Sequence, residues 1–182
     1  MSVFELQEFI ERVRRAASSH GPEQAVAELL GELLEMPRPM WAQQGDGPAE
    51  QLLHHAQQVT IYLIRGEPMR RFPPHEHGMV AAVAMLEGTE THRFFAADPG
   101  GRLRLTEIRH LTGPCVELFD ERAIHAVEYR SSAPVLAVHV YLGDLVLARR
   151  RMWNHDGTDP TRYDQARYDR LAMDVSAETG SG

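Results

Sequence analysis

The chain is poor in cysteine, in basic residues and in long apolar runs. Cys115 is the single cysteine among 182 residues, so it can form no internal disulfide, and a thiolate metal site would need several. The formal net charge of −7 leaves no excess of basic residues to neutralise nucleic-acid phosphates. No apolar run approaches the ~20 residues of a membrane span, and the first residues lack the apolar segment of a signal peptide. We therefore expect a cytoplasmic protein that binds neither nucleic acid nor a membrane.

The composition is that of a single globular domain, with 43% hydrophobic and 25% charged residues. Apolar residues recur at helical spacing over residues 3–19, and again from Pro22 to the residues before Pro37. Two short helices cannot bury their apolar stripes alone. We therefore expect residues 1–48 to be N-terminal helices that pack on the main domain.

From about residue 58 the pattern changes to short strands separated by glycine, proline and serine turns. The predicted strands are Thr60–Ile64, Met79–Leu86, His92–Ala96, Arg102–Leu111, Cys115–Phe119, His125–Tyr129 and Pro134–Tyr141. Strands about eight to twelve residues apart, with no helix between them, are typical of all-β sandwiches and jelly-roll barrels. We expect this barrel over residues 49–153 and a polar C-terminal tail over residues 154–182.

Three histidines in this region form a candidate metal site. His75 and His77 are two residues apart on an extended segment, so their side chains point to the same face. His125, on a later strand, would complete a set of three nitrogen ligands and leave coordination positions open, as a catalytic metal requires. Imidazole suits iron, zinc, copper and nickel, so the pattern alone leaves the metal open.

The H-x-H pair, followed by Leu86-Glu87-Gly88 and a lone histidine on a later strand, resembles the cupin superfamily. Cupins usually carry a glutamate ligand four or five residues after the second histidine, where this chain has Ala81 and Ala82. The remaining set of three neutral histidines is similar to that of one branch, the thiol dioxygenases. The resemblance implies a double-stranded β-helix and a non-haem Fe(II) held by His75, His77 and His125.

The strand from Val135 to Tyr141 strengthens this resemblance. It is similar to the thiol dioxygenase strand that carries a Ser-x-His-x-Tyr series of hydrogen bonds, which implies catalytic roles for His139 and Tyr141. Tyr141 would donate a hydrogen bond to oxygen or substrate, and His139 would orient it. Ala137 stands where the family has serine, so His139 loses one partner. Arg150 resembles the arginine that binds the substrate carboxylate in 3-mercaptopropionate dioxygenases.

The resemblance implies an oxidoreductase that converts a thiol carboxylate, similar to 3-mercaptopropionate or cysteine, and O₂ into a sulfinic acid. Its partners would be this small thiol and O₂, and the protein would be a monomer or a homodimer. Because Ala137 replaces the serine of the family, a second interpretation is a three-histidine oxygenase that acts on a non-thiol small acid. A third possibility is a non-catalytic metal-binding cupin.

Other residues either compete for the carboxylate-binding role or are expected to have no direct role in the site. Four arginines compete with Arg150 for the substrate carboxylate: Arg65, Arg70, Arg71 and Arg93. Glu90 is expected to be structural, and His92 is expected to be an ordinary strand or surface residue.

Overall fold

The structure is a computed structural model that describes residues 5–43, 45 and 47–175. Two helices come first, α1 (Leu6–Ala17) and α2 (Pro22–Glu35), and a 3₁₀ turn follows at Met40–Ala42. Pro22 is well placed at the start of α2, because the first turn of a helix needs no proline N–H. Residues 1–4 and 176–182, at the outer ends of the predicted first helix and tail, lie outside the described residues.

Thirteen strands and one more helix make up the rest of the described chain. They are β1 (Glu50–Ala56), β2 (Val59–Gly66), β3 (Arg70–Arg71), β4 (His75–Glu76), β5 (Ala81–Glu87), β6 (Thr89–Ala97), β7 (Leu103–Thr112), β8 (Cys115–Phe119), β9 (Ile124–Tyr129), β10 (Val135–Tyr141), β11 (Arg151–Met152), β12 (Thr161–Arg162), α3 (Gln165–Leu171) and β13 (Met173–Asp174).

The strands form two antiparallel sheets. The first has the order β1-β2-β10-β5-β8, and the second runs β12-β11-β4-β9-β3-β13, with β6 paired to both β7 and β9. Residues from the inner faces of both sheets, such as Ile64, Val83 and Val127, pack into one shared cluster. Two facing antiparallel sheets with a two-helix N-terminal segment are the architecture of a double-stranded β-helix, so the predicted fold class is confirmed.

Two short strands, β3 and β4, lie end to end along β9. Arg71 pairs with Glu128, and His75 pairs with His125. Pro73 and Pro74 separate the two strands, because proline has no N–H to donate to a sheet ladder. The proline pair therefore breaks the strand just before the first histidine of the candidate site.

The outer face of the first sheet packs against the helices. We call the following group of buried residues the helix-side core: Phe9, Ile10, Val13, Val26, Leu29, Leu30, Leu33, Ile61, Leu63, Ala82, Ala84, Leu136, Val138 and Val140. It joins both helices to β2, β5 and β10, which is the packing expected for the N-terminal helices. The proposed division at residues 48 and 153 stays a prediction.

The strand predictions agree closely with the structure in the middle of the chain and fail at both ends. Cys115–Phe119 matches β8 residue for residue, whereas β1 lies before Thr60–Ile64, the first strand predicted. The region after residue 153, expected to be a tail, contributes β12, α3 and β13. Two of these three elements add strands to the second sheet.

Candidate metal centre

His75, His77 and His125 lie together in the interior, with one ring nitrogen of each within 4.8 Å of the others. Nε2 of His77 is 3.2 Å from Nε2 of His75 and 3.2 Å from Nε2 of His125. The sheet explains this convergence. His75 and His125 are direct partners across β4 and β9, and opposite side chains of an antiparallel pair are close neighbours. His77 follows two residues after His75, on the same face.

The three imidazoles are buried and neutral. Burial, followed by the nearby charge of Arg150, lowers the pKa of His75 to about 3. Burial and the neighbouring histidines lower the pKa of His77 and of His125 well below the ordinary value. Nδ1 of His75 donates to the carbonyl oxygen of Pro73 at 3.2 Å. Its Nε2 therefore carries a lone pair, as a metal ligand requires.

The three Nε2 atoms fit a divalent metal ion. Nitrogens about 2.1 Å from one ion and at right angles would be about 3 Å apart, close to the distances found here. Without a cation, lone pairs would face one another in a buried site, which is unfavourable. Imidazole donors alone do not select among iron, zinc, copper and nickel. The three histidines are thus a candidate metal site, and their geometry does not identify the metal.

A second series of buried polar groups lies behind His125. Nδ1 of His125 is 3.0 Å from Nδ1 of His92, and Nε2 of His92 is 3.0 Å from Oε2 of Glu90. All three side chains are buried. His92 lies on a strand, as expected, but it is fully buried and contacts His125, so it is not the ordinary strand or surface residue that the sequence predicts. The Glu90-x-His92 spacing was the available signal, because it places both side chains on one face of β6.

His139 and Tyr141 lie side by side on the inner face of β10. The Tyr141 hydroxyl is 3.2 Å from Nδ1 of His139. The Tyr141 ring packs edge-on against His77, with ring centres 4.9 Å apart. Burial, together with the negative charge of Glu50, raises the pKa of Tyr141, so its hydroxyl keeps its proton. The hydroxyl therefore lies beside the histidine cluster as a neutral hydrogen-bonding group.

A cavity of about 500 Å³ opens onto the three histidines. All five tyrosines of the chain line it, two of which, Tyr163 and Tyr168, come from the segment after residue 153. The Tyr168 ring packs edge-on against His75, with ring centres 5.1 Å apart. These two tyrosines were missed in the sequence, because a polar segment so far along the chain gives no sign of where it folds back. Glu50 is at the solvent-accessible rim, where partial burial raises the pKa of its carboxyl.

Arg150 also lines this cavity. Its guanidinium carbon lies 3.3 Å from the centre of the Tyr163 ring. Within the described part of the chain, no carboxylate lies within 4.0 Å of this guanidinium. Arg149, its neighbour in sequence, is exposed and does not line the cavity. Arg150 thus lies in the cavity wall without an ion pair among the described residues, although Glu50, in the same lining, is near enough for the two charges to interact.

The competing arginines are engaged elsewhere. Arg70 pairs with Glu67 at 3.3 Å, while Arg71 and Arg93 pair with the buried Glu128 at 2.7 and 3.5 Å. Arg65 lines the cavity but donates to the Gln51 side chain at 2.9 Å. Of the five candidates, Arg150 is the best placed to bind an anion in the cavity.

No helix in the described ranges has the length and apolar character needed to cross a membrane. The expected cytoplasmic location and the monomeric or homodimeric state stay predictions.

No protein-family model and no curated protein matches the chain. Among solved structures, it is similar to an uncharacterised conserved protein with a double-stranded β-helix domain from Klebsiella pneumoniae. That similarity has 11% identity and a TM-score of 0.46, and it covers 64% of this chain and 97% of the other. A second similar structure is hydroquinone 1,2-dioxygenase from Sphingomonas sp. TTNP3, at 10% identity and TM-score 0.46, covering 58% of this chain and 71% of that enzyme.

Oxalate decarboxylase from Bacillus subtilis is a third similar structure, at 15% identity and TM-score 0.40. The similarity covers 51% of this chain and 23% of the decarboxylase, so the chain matches about a quarter of that enzyme's length. All three similarities are remote. The chemistry of the candidate site therefore rests on its own residues.

Proposed function

We propose that this protein is a non-haem iron(II) dioxygenase that converts a small thiol carboxylate, similar to 3-mercaptopropionate or cysteine, into a sulfinic acid. The reaction balances as R–SH + O₂ → R–SO₂H. The observation that carries the proposal is the meeting, in one cavity, of three neutral imidazole nitrogens, a tyrosine hydroxyl and a guanidinium that forms no ion pair among the described residues.

His75, His77 and His125 would hold the iron through their Nε2 atoms. Bound iron(II) supplies the redox chemistry by which O₂ oxidises a sulfur atom. Because the three histidine ligands are neutral, they do not cancel the positive charge of the bound ion. This charge favours an anionic thiolate as substrate.

Arg150 would bind the carboxylate at the other end of the substrate. A guanidinium binds a carboxylate through two parallel hydrogen bonds. The Tyr163 ring, stacked at 3.3 Å, limits the orientations open to the guanidinium plane. The separation between Arg150 and the histidine cluster would then select substrates by chain length.

His139 and Tyr141 would handle the proton of the thiol. As the substrate becomes a thiolate, its proton passes to the Tyr141 oxygen while the Tyr141 proton passes to Nδ1 of His139, 3.2 Å away. The Tyr141 hydroxyl then donates a hydrogen bond to the reacting sulfur. This is the part of the proposal that gives both residues catalytic roles.

The size of the cavity favours a second candidate, a three-histidine oxygenase for a larger, non-thiol acid. A cavity of about 500 Å³ lies within the roughly 300–1,000 Å³ typical of sites for drug-sized ligands, whereas 3-mercaptopropionate has only three carbons. A lining that includes five tyrosines would also suit an aromatic or apolar body.

Oxygen uptake by iron-loaded protein tests the proposal and separates the candidates. We expect O₂ consumption with 3-mercaptopropionate or cysteine, one sulfinate formed per O₂, and much slower uptake with cysteamine, which lacks the carboxylate. No uptake with any thiol, but uptake with an aromatic acid, would favour the second candidate. Stabilisation by ligands without product from any of them would indicate a binding protein.

A further inference from the structure

We propose that Glu90 is a positioning residue for both histidine pairs of the site: through His92 it orients the ligand His125, and directly it orients His139. The inference rests on the proposed metal centre but does not depend on the thiol substrate. The two oxygens of this one carboxylate face the two pairs. Oε2 lies 3.0 Å from Nε2 of His92, and Oε1 lies 3.6 Å from Nε2 of His139.

The hydrogen-bond series behind His125 fixes the position of each proton. An ionised carboxylate only accepts hydrogen bonds, so His92 donates to Glu90 from Nε2. With its proton on Nε2, His92 accepts on Nδ1, and Nδ1 of His125, 3.0 Å away, is the donor. His125 is thereby left with its lone pair on Nε2, the atom that faces His77. Glu90 thus selects the tautomer of His125 that can bind a metal.

Glu90 also makes an electrostatic contact with His139, on the side where the serine is missing. Ala137, in the serine position, is fully buried and has no side-chain hydrogen-bonding group. Nε2 of His139 faces Oε1 of Glu90 at 3.6 Å instead, beyond hydrogen-bond distance but close enough for the carboxylate charge to favour a proton on this nitrogen, which leaves Nδ1 to accept from the Tyr141 hydroxyl. Tyr129 also donates to Oε1, at 3.4 Å. A residue on β6 therefore takes over an orienting function that the resemblance assigns to a residue of β10.

A comparison with Glu128 separates this role from a purely structural one. Both glutamates are fully buried, but Glu128 is paired with three arginines: Arg71 at 2.7 Å, Arg93 at 3.5 Å and Arg130 at 2.6 Å. Glu90 contacts two histidines and one tyrosine, and the described residues give it no arginine partner.

Among the described residues, Glu90 therefore faces two histidines and a tyrosine instead of a permanent positive charge. Burial works against the negative charge of Glu90, but His139 and His92 outweigh burial and lower the pKa of the Glu90 carboxyl. A divalent cation bound beyond His92 and His125 would supply the missing positive charge. Glu128 needs no such cation, since its arginines already surround it.

Nuclear magnetic resonance of ¹⁵N-histidine-labelled protein loaded with Zn²⁺, a diamagnetic probe ion, tests the proton positions without any substitution. We expect His92 to be protonated on Nε2, His125 on Nδ1 and His139 on Nε2. A proton on Nδ1 of His92 would overturn the inference, because His92 would then donate to His125 rather than accept from it. This measurement decides the matter even if a Glu90 variant does not fold.

The affinity for Zn²⁺, measured by competition with a chelator, tests the consequence for metal binding. Glu90→Gln should weaken binding by about 10–100-fold, the range found when outer partners of ligands are lost. Glu128→Gln is the matched control, since it makes the same change at an equally buried carboxylate on the opposite face of β9 from His125. It should stay within about two-fold of the wild type.

Two results would contradict the inference: a Glu90→Gln affinity within about two-fold of the wild type, or an equal loss in Glu128→Gln. Neither measurement involves a thiol or O₂. Failure of thiol oxidation would thus leave the role of Glu90 standing, and failure of these tests would leave the proposed oxidation open to its own assay.

Discussion

The two faces of β10 differ in chemistry although their residues alternate along one strand. Leu136, Val138 and Val140 point into the helix-side core, a cluster of buried apolar residues. His139 and Tyr141 point into the cavity beside the histidine cluster. Both sets are buried, so burial does not separate them. The two sets differ in the side chains that they contact on the two sides of the sheet.

The comparison indicates that stability and function are assigned to opposite faces of the same sheet. The helix-side core gains its free energy from apolar burial, at about 25 cal/mol for each Å² removed from water. The cavity face has an apolar cluster of its own, but it also buries imidazoles and phenols, whose pKa values are shifted by that burial. Substitutions on the helix side should therefore change mainly the free energy of unfolding, and substitutions on the cavity side should change mainly metal binding and catalysis. Four predictions test this difference.

His77→Ala should give the largest effect, on metal binding and on the activity that depends on the metal, with the fold kept. Loss of one of three ligands should weaken metal binding by at least about 10³-fold, or ~4 kcal/mol, beyond the 10–100-fold typical of outer partners. Thiol oxidation should fall to background. Chelator competition and metal analysis would measure the loss, and circular dichroism would check that the fold is kept. Normal metal content in His77→Ala would contradict the assignment of this ligand.

Leu136→Ala should affect only the stability side of the comparison. Truncation of a fully buried leucine costs about 2–5 kcal/mol of unfolding free energy, because it loses transfer energy and leaves a cavity. Denaturant titration of the metal-free protein would measure this cost. The affinity of the folded protein for metal should change by less than about three-fold. A large loss of metal affinity would show that the two faces of β10 are coupled.

Sequence pattern predicted the parts of the site that depend on strand alternation. His75 and His77 share a face because of their spacing, and the same reasoning placed His139 beside Tyr141. The expected strand around His125 is also present, as β9. For these residues, local periodicity and the order of strands were sufficient to bring the side chains into one interior.

The rest of the site depends on tertiary packing that local pattern does not record. Tyr163 and Tyr168 reach the cavity only because the chain folds back through β12 and α3. Glu90 and His92 alternate like ordinary residues of a strand, and their importance arises from the pairing of β6 with β9. The edge strand β1 was missed because Glu50, Gln51 and two histidines give it a polar composition.

Arg150→Gln tests whether the cavity face binds the carboxylate of the substrate. Loss of a charged hydrogen bond costs about 1.5–3 kcal/mol, so KM for 3-mercaptopropionate should rise by about 10–100-fold. Arg149→Gln is the control, because this exposed neighbour does not line the cavity. Oxygen-uptake kinetics would measure both variants. Slow oxidation of cysteamine should be unaffected by either change, and an equal effect of both variants on KM would remove Arg150 from the site.

Ala137→Ser should have the smallest effect, and with Val138→Thr it compares the two faces of β10 directly. Each change adds a hydroxyl to a fully buried residue of the same strand. Ala137 packs in an apolar cluster but shares its face of β10 with His139, so we expect a serine hydroxyl there to find a polar partner and the unfolding free energy to change by less than about 1 kcal/mol. On the helix side, the threonine hydroxyl would lie in a cluster of buried apolar residues, and we expect a loss of about 1–3 kcal/mol. Turnover in Ala137→Ser should change by less than about three-fold, because Glu90 already faces Nε2 of His139. A gain above about ten-fold would mean that His139 lacks an orienting partner, and equal losses of stability in the two variants would contradict the difference between the faces.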